Sequence, residues 1–174
     1  MLTLKDLPKY EALLSLAQRC PELDITSVET CLVFLRTATD VYGVLDVHFA
    51  QYDLSMGKFT LLMLLVHAEK KWLTPSECAE RAGVTRGTVT GLLDGLEREG
   101  WIRRCPCPDD RRRLYVSLTD EGCQRLDQIL PRHFAIIAQL LVELTATERE
   151  QLQSLLQKLR RGALALPQAA EPKI

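Results

Sequence analysis

The sequence has no hydrophobic run long enough to cross a membrane. A membrane-spanning helix needs about 20 consecutive apolar residues, and charged residues interrupt the apolar stretches of this 174-residue chain before that length is reached. The first residues also lack the basic start and the small-residue cleavage site of a secretion signal. We therefore expect a cytoplasmic protein.

The usual sequence signatures of enzymes are absent as well. The chain has no glycine-rich phosphate-binding loop, no nucleophile–base motif and no paired carboxylates in a pocket-like context. It has only three histidines, and its six cysteines do not form the spaced pairs that hold zinc. The sequence therefore predicts no catalytic site, no metal site and no cofactor.

The chain carries little net charge, which is formally −1 at pH 7. The total does not indicate a nucleic-acid partner, but the distribution does. Between residues 101 and 118, five arginines stand against two aspartates. A locally basic segment on a mildly acidic body suits a protein that contacts phosphates in one place.

The segment from 73 to 100 predicts two short helices joined by a tight turn. Thr74 and Glu77 have the spacing of a capping box, and Gly83 is the residue type favoured just past a helix end. Thr85 is a suitable N-cap for the second helix. The apolar residues of that helix recur at helical spacing and form one stripe: Val89, Leu92, Leu93 and Leu96.

The opposite face of the second helix is rich in glycine. Its members are Gly87, Gly91, Asp94, Gly95 and Arg98. A glycine inside a helix costs about 1 kcal/mol relative to alanine. The face therefore either admits a closely approaching partner such as a DNA groove, or carries tolerated glycines on the surface of a well-packed helix.

The pattern changes to a period of two after the second helix. Residues 101–104 and 114–118 suit two strands, and a polar, proline-containing loop with three arginines lies between them. Two helices followed by a hairpin with a cationic tip are typical of a winged helix-turn-helix. In that arrangement the second helix enters the major groove, and the wing reaches the backbone or the minor groove.

The helices on either side of this core predict a dimer. A long helix over 25–52 has a wide apolar face, and the segment after residue 119 contains more leucine than a single winged helix can bury. Unpaired, these helices would expose a large apolar patch. A two-fold homodimer is the simplest assembly that buries that patch.

These patterns predict a mainly α fold with a small β-hairpin wing, in which a winged helix-turn-helix core is joined to a helical dimerisation region. We expect an N-terminal helical extension over 1–24, dimerisation helices over 25–53 and 119–163, a DNA-binding domain over 54–118, and a flexible tail over 164–174.

Three segments carry a resemblance to a known family. They are Leu54 to Phe59, Val84 to Gly100, and the wing sequence Asp-Asp-Arg-Arg with the later Leu-Thr-x-x-Gly, which is the most discriminating part. On these residues the chain resembles the MarR family of transcriptional regulators over roughly residues 26 to 161. The resemblance implies a homodimeric regulator, usually a repressor, that binds a pseudo-palindromic operator in double-stranded DNA.

The resemblance also implies roles for individual residues. Asp110 and Arg112 would brace the wing tip, and Asp94 would pair with Arg112. The family often has arginine where this chain has Gly91 and Gly95, so other residues must supply more of the base contacts. The expected DNA contacts are Thr85, Arg86, Thr88, Thr90, Gly91, Arg111, Arg112 and Arg113.

A small phenolic or other aromatic acid is the effector that the family resemblance implies. The candidate lining residues are Tyr42, His48, Phe59 and Met63. Tyr42 and His48 have a second interpretation, as hydrogen-bonded residues of the core.

Two alternative functions stay open. Cys105 and Cys107 lie beside arginines, which favour the reactive thiolate, so the regulator could sense oxidants instead. Cys31, Cys78 and Cys123 fall beside apolar helix positions and are expected to be buried. The winged helix could also serve as a protein-interaction module, with its arginines as a solvated face.

Overall fold

The computed structural model describes residues 19–20, 22–106 and 114–166. Its elements in chain order are the helices α1 (Ile25–Ala50), α2 (Met56–Val66), α3 (Pro75–Ala82) and α4 (Arg86–Arg98), the strands β1 (Ile102–Pro106) and β2 (Leu114–Leu118), and the helices α5 (Asp120–Leu140) and α6 (Ala146–Ala165). The predicted mainly α class with one β-hairpin is confirmed. Within the described ranges, no helix has the length and apolar character needed to cross a membrane.

The described residues fall into two compact units that divide between Asp127 and Gln128. Most of the expected N-terminal extension and most of the expected tail lie outside the described ranges. The assignment of the remaining helices to dimerisation and to DNA binding stays a prediction.

Local capping fixes the ends of the two short helices. The Thr74 N–H donates to Glu77 Oε2 at 2.7 Å, and the Glu77 N–H donates to Thr74 Oγ1 at 3.3 Å, which completes the capping box. Gly83 ends α3 in the left-handed region with a φ of 66°. Thr85 Oγ1 then accepts from the Thr88 N–H at 3.2 Å and starts α4. The predicted helix–turn–helix is confirmed.

The core of the first unit forms around α2, which packs against α3, α4 and β2. Three of its leucines, Leu61, Leu62 and Leu65, are almost fully buried, as the apolar sequence of this segment predicts. The buried stripe of α4 and the first residues after it complete the core. Side chains with less than 2 % of their surface exposed include Leu61, Leu62, Leu65, Val89, Leu93, Leu96, Trp101 and Val116.

The hairpin is longer than the sequence predicts. Antiparallel pairing begins at Ile102 with Leu118 and continues to Pro106 with Leu114. Cys105 pairs with Tyr115, so the expected loop from Cys105 onward is a strand at its start. Leu73 forms an isolated β-bridge with Val116 through two backbone hydrogen bonds of 3.0 and 2.7 Å.

The cysteines do not share one environment. Cys78 is fully buried on α3, and this burial raises the pKa of its thiol to about 11. Cys31 and Cys123 are exposed, so the expectation that they are buried hydrophobes is wrong for the single chain. Both lie on helix faces that no described residue covers fully.

The last helix differs from the others because none of its residues is buried. Its N-terminus is well formed, since Thr145 and Glu148 make a second capping box. The hydrogen bonds from Thr145 hold the pKa of the Glu148 carboxyl below its usual range. The helix therefore forms through local interactions and presents its leucines outward.

Candidate nucleic-acid interface

The α4 helix buries one side and leaves the other open. Val89 and Leu93 are fully buried against the core of the first unit. The sequence-predicted contacts on this helix are brought together on the exposed side of its N-cap and first two turns: Thr85, Arg86, Thr88, Thr90 and Gly91. In a helix-turn-helix, the N-terminal residues of the second helix are the ones that contact base edges in the major groove.

Short hydrogen bonds hold the threonines of this surface in place. The hydroxyls of Thr85 and Thr88 are 2.9 Å apart, and Thr90 Oγ1 donates to the Arg86 carbonyl at 2.9 Å. The threonine methyl groups and hydroxyl lone pairs therefore stand in fixed positions. Such groups can contact a thymine methyl or the edge of a base.

The glycines of α4 have two different environments. A Cβ added at Gly91 would meet no atom within 4 Å, and one added at Gly87 would meet only Thr85 Oγ1 at 3.9 Å. Nothing in the described chain requires glycine at either position. Gly95, by contrast, is buried, and its Cβ would lie 3.2 Å from Lys58 Cε. Its predicted place on the open face is wrong because the Lys58 side chain covers it.

An ion-pair cluster fastens the wing to α4. Arg104 Nη1 donates to Asp94 Oδ1 at 2.6 Å and to Glu97 Oε2 at 3.1 Å. The Arg104 backbone N–H also donates to Glu97 Oε1 at 3.0 Å. These bonds join β1 to two successive turns of α4, so they fix the angle at which the hairpin leaves the helix.

The structure does not describe the wing tip. Asp110, Arg111, Arg112 and Arg113 lie outside the described ranges, and so does Cys107. Their expected roles stay predictions, including the pairing of Asp94 with Arg112.

Within the described part of the wing, Asp94 pairs with Arg104. Arg103 and Cys105 are the neighbours of Arg104 on β1. The Arg103 side chain is exposed, with its Nε 3.4 Å from Ser117 Oγ, and Cys105 is half-buried.

The C-terminal end of α4 is tied to the start of α5. Thr119 Oγ1 donates to the Gly100 carbonyl at 2.7 Å, and the Thr119 N–H donates to the Trp101 carbonyl at 3.1 Å. Arg125 Nη1 donates to the Glu99 carbonyl at 3.0 Å, and its guanidinium carbon lies 3.7 Å from the centroid of the buried Trp101 ring. Sequence reasoning missed Arg125, because nothing local to it signals these partners.

Gly122 belongs to the same junction. A Cβ at this position would lie 2.1 Å from the Trp101 carbonyl oxygen, closer than any side chain could be accommodated. The Leu-Thr-x-x-Gly motif of the sequence carried the signal for this close approach.

Two of the four candidate effector-lining residues lie in one cluster. The rings of Phe49 and Phe59 stack with centroids 4.3 Å apart, and the buried His48 ring lies 5.1 Å from Phe49. Met63 is half-buried on α2. Tyr42 is 56 % exposed, and it lies about 9 Å from His48 along α1. His48 is therefore buried as the core interpretation expects, whereas Tyr42 does not lie in the core of the single chain.

Comparison with known proteins gives consistent matches. Residues 52–113 match the model of the MarR family. The chain is 39% identical over 147 residues to the HTH-type transcriptional repressor YetL of Bacillus subtilis (strain 168). This match covers 84% of this chain and 88% of that protein. The chain is 29% identical over 137 residues to the HTH-type transcriptional regulator PecS of Dickeya dadantii (strain 3937), with 78% and 82% covered.

Solved structures agree in fold. Sco3205 from Streptomyces coelicolor, a MarR family transcriptional regulator in complex with DNA, has a TM-score of 0.74 at 27% identity, covering 84% of this chain and 91% of that one. A mutant of MarR from Escherichia coli complexed with operator DNA has a TM-score of 0.66 at 27% identity, with 73% and 90% covered. These relatives are transcriptional regulators and not enzymes.

Proposed function

The chain belongs to the MarR family of DNA-binding transcriptional regulators, and we propose that it is a cytoplasmic homodimeric repressor of a pseudo-palindromic operator. The observation that carries this proposal is the open side of α4. There Arg86, Thr88 and Thr90 stand on an exposed helix end beside a hairpin fastened by Arg104.

Dimer formation is supported by the apolar surface that the single chain leaves uncovered. On α6, Leu152, Leu155, Leu156 and Leu159 are 38–60% exposed. Burying apolar surface contributes about 25 cal/mol per Å², so a second copy that covers these helices supplies the stabilisation that one chain lacks. Two-fold symmetry then places two α4 helices on half-sites about one helical turn of DNA apart.

The proposed contacts divide by role. Arg111, Arg112 and Arg113 bind phosphates or the minor groove, with Asp110 bracing the wing tip. Arg86, Thr88 and Thr90 contact base edges. Gly91 brings the helix backbone close to the DNA, because it adds no side chain on the open side. Thr85 contacts the DNA at the N-cap of the same helix.

Selection of bound duplexes from a random-sequence pool tests the class of function. We expect a two-fold-symmetric consensus with half-sites about 10 base pairs apart, as two major-groove helices require. Weak, salt-insensitive binding without a consensus would instead favour a protein-interaction module.

The division of roles is tested by fluorescence anisotropy on the selected duplex and on a scrambled one. Arg112→Ala should weaken binding to both duplexes and lower the salt slope by about one. Arg86→Ala and Thr90→Ala should change sequence preference while leaving binding to the scrambled duplex intact. Equal effects from all three substitutions contradict the division.

We also propose that a small aromatic or phenolic acid releases the operator. The ring cluster in which Phe49 joins His48 to Phe59 supports this site, and Met63 and Tyr42 are the further proposed lining residues. A ligand shifts a conformational equilibrium only through its different affinity for the two states. Benzoate should therefore displace the duplex from the wild-type chain and act more weakly on His48→Leu.

Thiol oxidation is the competing signal. Titration with peroxide should leave operator binding unchanged in both the wild type and the Cys105→Ser/Cys107→Ser chain if the aromatic acid is the effector. Loss of binding in the wild type alone assigns the switch to the two thiols.

A further inference from the structure

A partly buried ion pair joins the end of α4 to the start of α2. Lys58 Nζ lies 2.7 Å from each carboxylate oxygen of Glu99 and donates to the Asp53 carbonyl at 3.3 Å. The side chains of Lys58 and Glu99 are only 17% and 27% exposed. This pair is therefore better shielded from solvent than the ion pairs of the protein surface, which contribute little.

Both partners stand at the unfavourable end of their own helix. Lys58 is in the first turn of α2, and Glu99 is the C-cap of α4. The helix dipole favours acidic residues near the N-terminus and basic residues near the C-terminus. Each charge alone therefore opposes its own helix, and their mutual contact compensates for both. Arg98 Nη2 lies farther from Glu99 Oε1, at 3.8 Å. The pair serves the contact between the helices and not the helices themselves.

Gly95 makes room for this contact. The Lys58 side chain crosses α4 at Gly95, where an added Cβ would lie 3.2 Å from Lys58 Cε and 3.7 Å from Nζ. A larger residue would push the lysine away from Glu99. Lys58, Glu99 and Gly95 thus form one unit, which we call the helix clamp.

We propose that the helix clamp is a positioning device for DNA binding: it sets the inclination of α4 on α2, and operator affinity depends on it although none of its residues contacts DNA. The inference rests on the proposed function. The same end of α4 is held from the other side, because Arg125 donates to the Glu99 carbonyl at 3.0 Å. With this end held by two neighbouring helices, the open end of α4 projects in a fixed direction.

The experiment measures affinity for the duplex that the wild-type chain enriches from a random pool. Binding of Lys58→Met and Glu99→Gln is followed by anisotropy across a salt series, at a temperature where circular dichroism shows every variant fully folded. We expect about tenfold weaker binding with an unchanged salt slope, whereas loss of a lysine–phosphate contact would lower the slope by about one. Lys158→Met, which removes an exposed charge on α6, should bind like the wild type.

A charge swap provides the rescue. Lys58→Glu/Glu99→Lys restores an ion pair and now places each charge at the favourable end of its helix. We expect its affinity to return to within about threefold of the wild type, and its thermal midpoint to match or exceed that of the wild type. Gly95→Ala should weaken binding in the wild-type background and have no effect in the Lys58→Ala background, since the obstructed side chain is then absent.

These outcomes distinguish failure of the proposed function from failure of the helix-clamp proposal. If the wild-type chain enriches no duplex, the proposed function fails. If it binds its duplex and Lys58→Met binds equally well, or binds with a reduced salt slope, the clamp proposal is overturned. If Lys58→Met does not fold, Glu99→Gln and the charge swap decide, because loss without rescue also contradicts the proposal.

Discussion

Helices α4 and α6 carry similar leucine patterns and bury them very differently. Leu93 and Leu96 of α4 are fully buried within the first unit, whereas Leu155 and Leu159 of α6 are 60% and 44% exposed. Both helices begin with a threonine cap, so local signals do not distinguish them. Helical spacing of apolar residues therefore predicts that a helix face is covered, but not whether the same chain covers it.

The largest expected effect comes from placing charge on the exposed stripe. Leu155→Glu should dissociate the dimer, because a carboxylate in an apolar interface loses its hydration without a partner. Light scattering should then give the mass of one chain. Operator affinity should fall by at least about a hundredfold, since each half-site is bound without its neighbour.

Gln157→Glu is the matched control for this change. It adds the same charge two residues away, on the opposite side of α6, and should leave the dimer intact. A dimer that persists in Leu155→Glu would show that this stripe is not the interface.

A substitution that leaves a cavity in the core of the first unit should have the next largest effect. Leu93→Ala should lower the free energy of unfolding by about 2–5 kcal/mol, as for other fully buried leucines. Urea denaturation measures this loss, which should be present at every protein concentration. For Leu155→Ala we expect a loss that depends on protein concentration. The same dependence in both variants would contradict the view that α4 is buried by its own chain and α6 by a second copy.

Neighbouring arginines of β1 allow a finer test within the first unit. Arg104→Gln removes the bonds to Asp94 and Glu97 and should weaken operator binding about tenfold, or 1.4 kcal/mol, because the wing loses its fixed angle. Arg103→Gln removes the same charge from the exposed side of the strand. It should act mainly through the salt slope if Arg103 contacts a phosphate.

A double-mutant cycle identifies the source of the Arg104 effect. If the ion pair matters, Asp94→Asn adds little once Arg104 is already glutamine. Additive losses in anisotropy would mean that the two residues act separately.

The smallest expected effect lies on the open side of α4. Gly91→Ala should raise the free energy of unfolding by about 1 kcal/mol, because the new methyl group meets no atom of the protein and the helix gains propensity. Operator affinity should nevertheless fall several-fold if DNA approaches the helix at this point. Stabilisation without any loss of affinity in the same preparation would show that Gly91 is a tolerated surface residue.

Local sequence signals predicted much of the fold. The capping residues Thr74 and Thr85 lie within three residues of their partners, so their hydrogen bonds could be foreseen. The central position of α2 followed from its apolar sequence. The extension of β1 through Cys105 could not be foreseen, because it depends on pairing with Tyr115 across the hairpin.

The candidate site was predictable in outline but not in its supports. The open side of α4 followed from helical spacing, although Gly95 was assigned to it wrongly. Lys58 and Glu99 are 41 positions apart, and Arg125 is 26 positions from the carbonyl it binds. Contacts at such separations are decided by how the helices pack, which one sequence without its structure does not specify.

The backbone contact at Gly122 has a mechanical consequence. The first turn of α5 touches the Trp101 carbonyl with no side chain between them, and the tight packing of protein interiors leaves no slack at such a point. A tilt of the first turn of α5 must therefore also move Trp101, which follows the last turn of α4. A displacement of this first turn therefore moves Trp101 directly, without any loop having to refold.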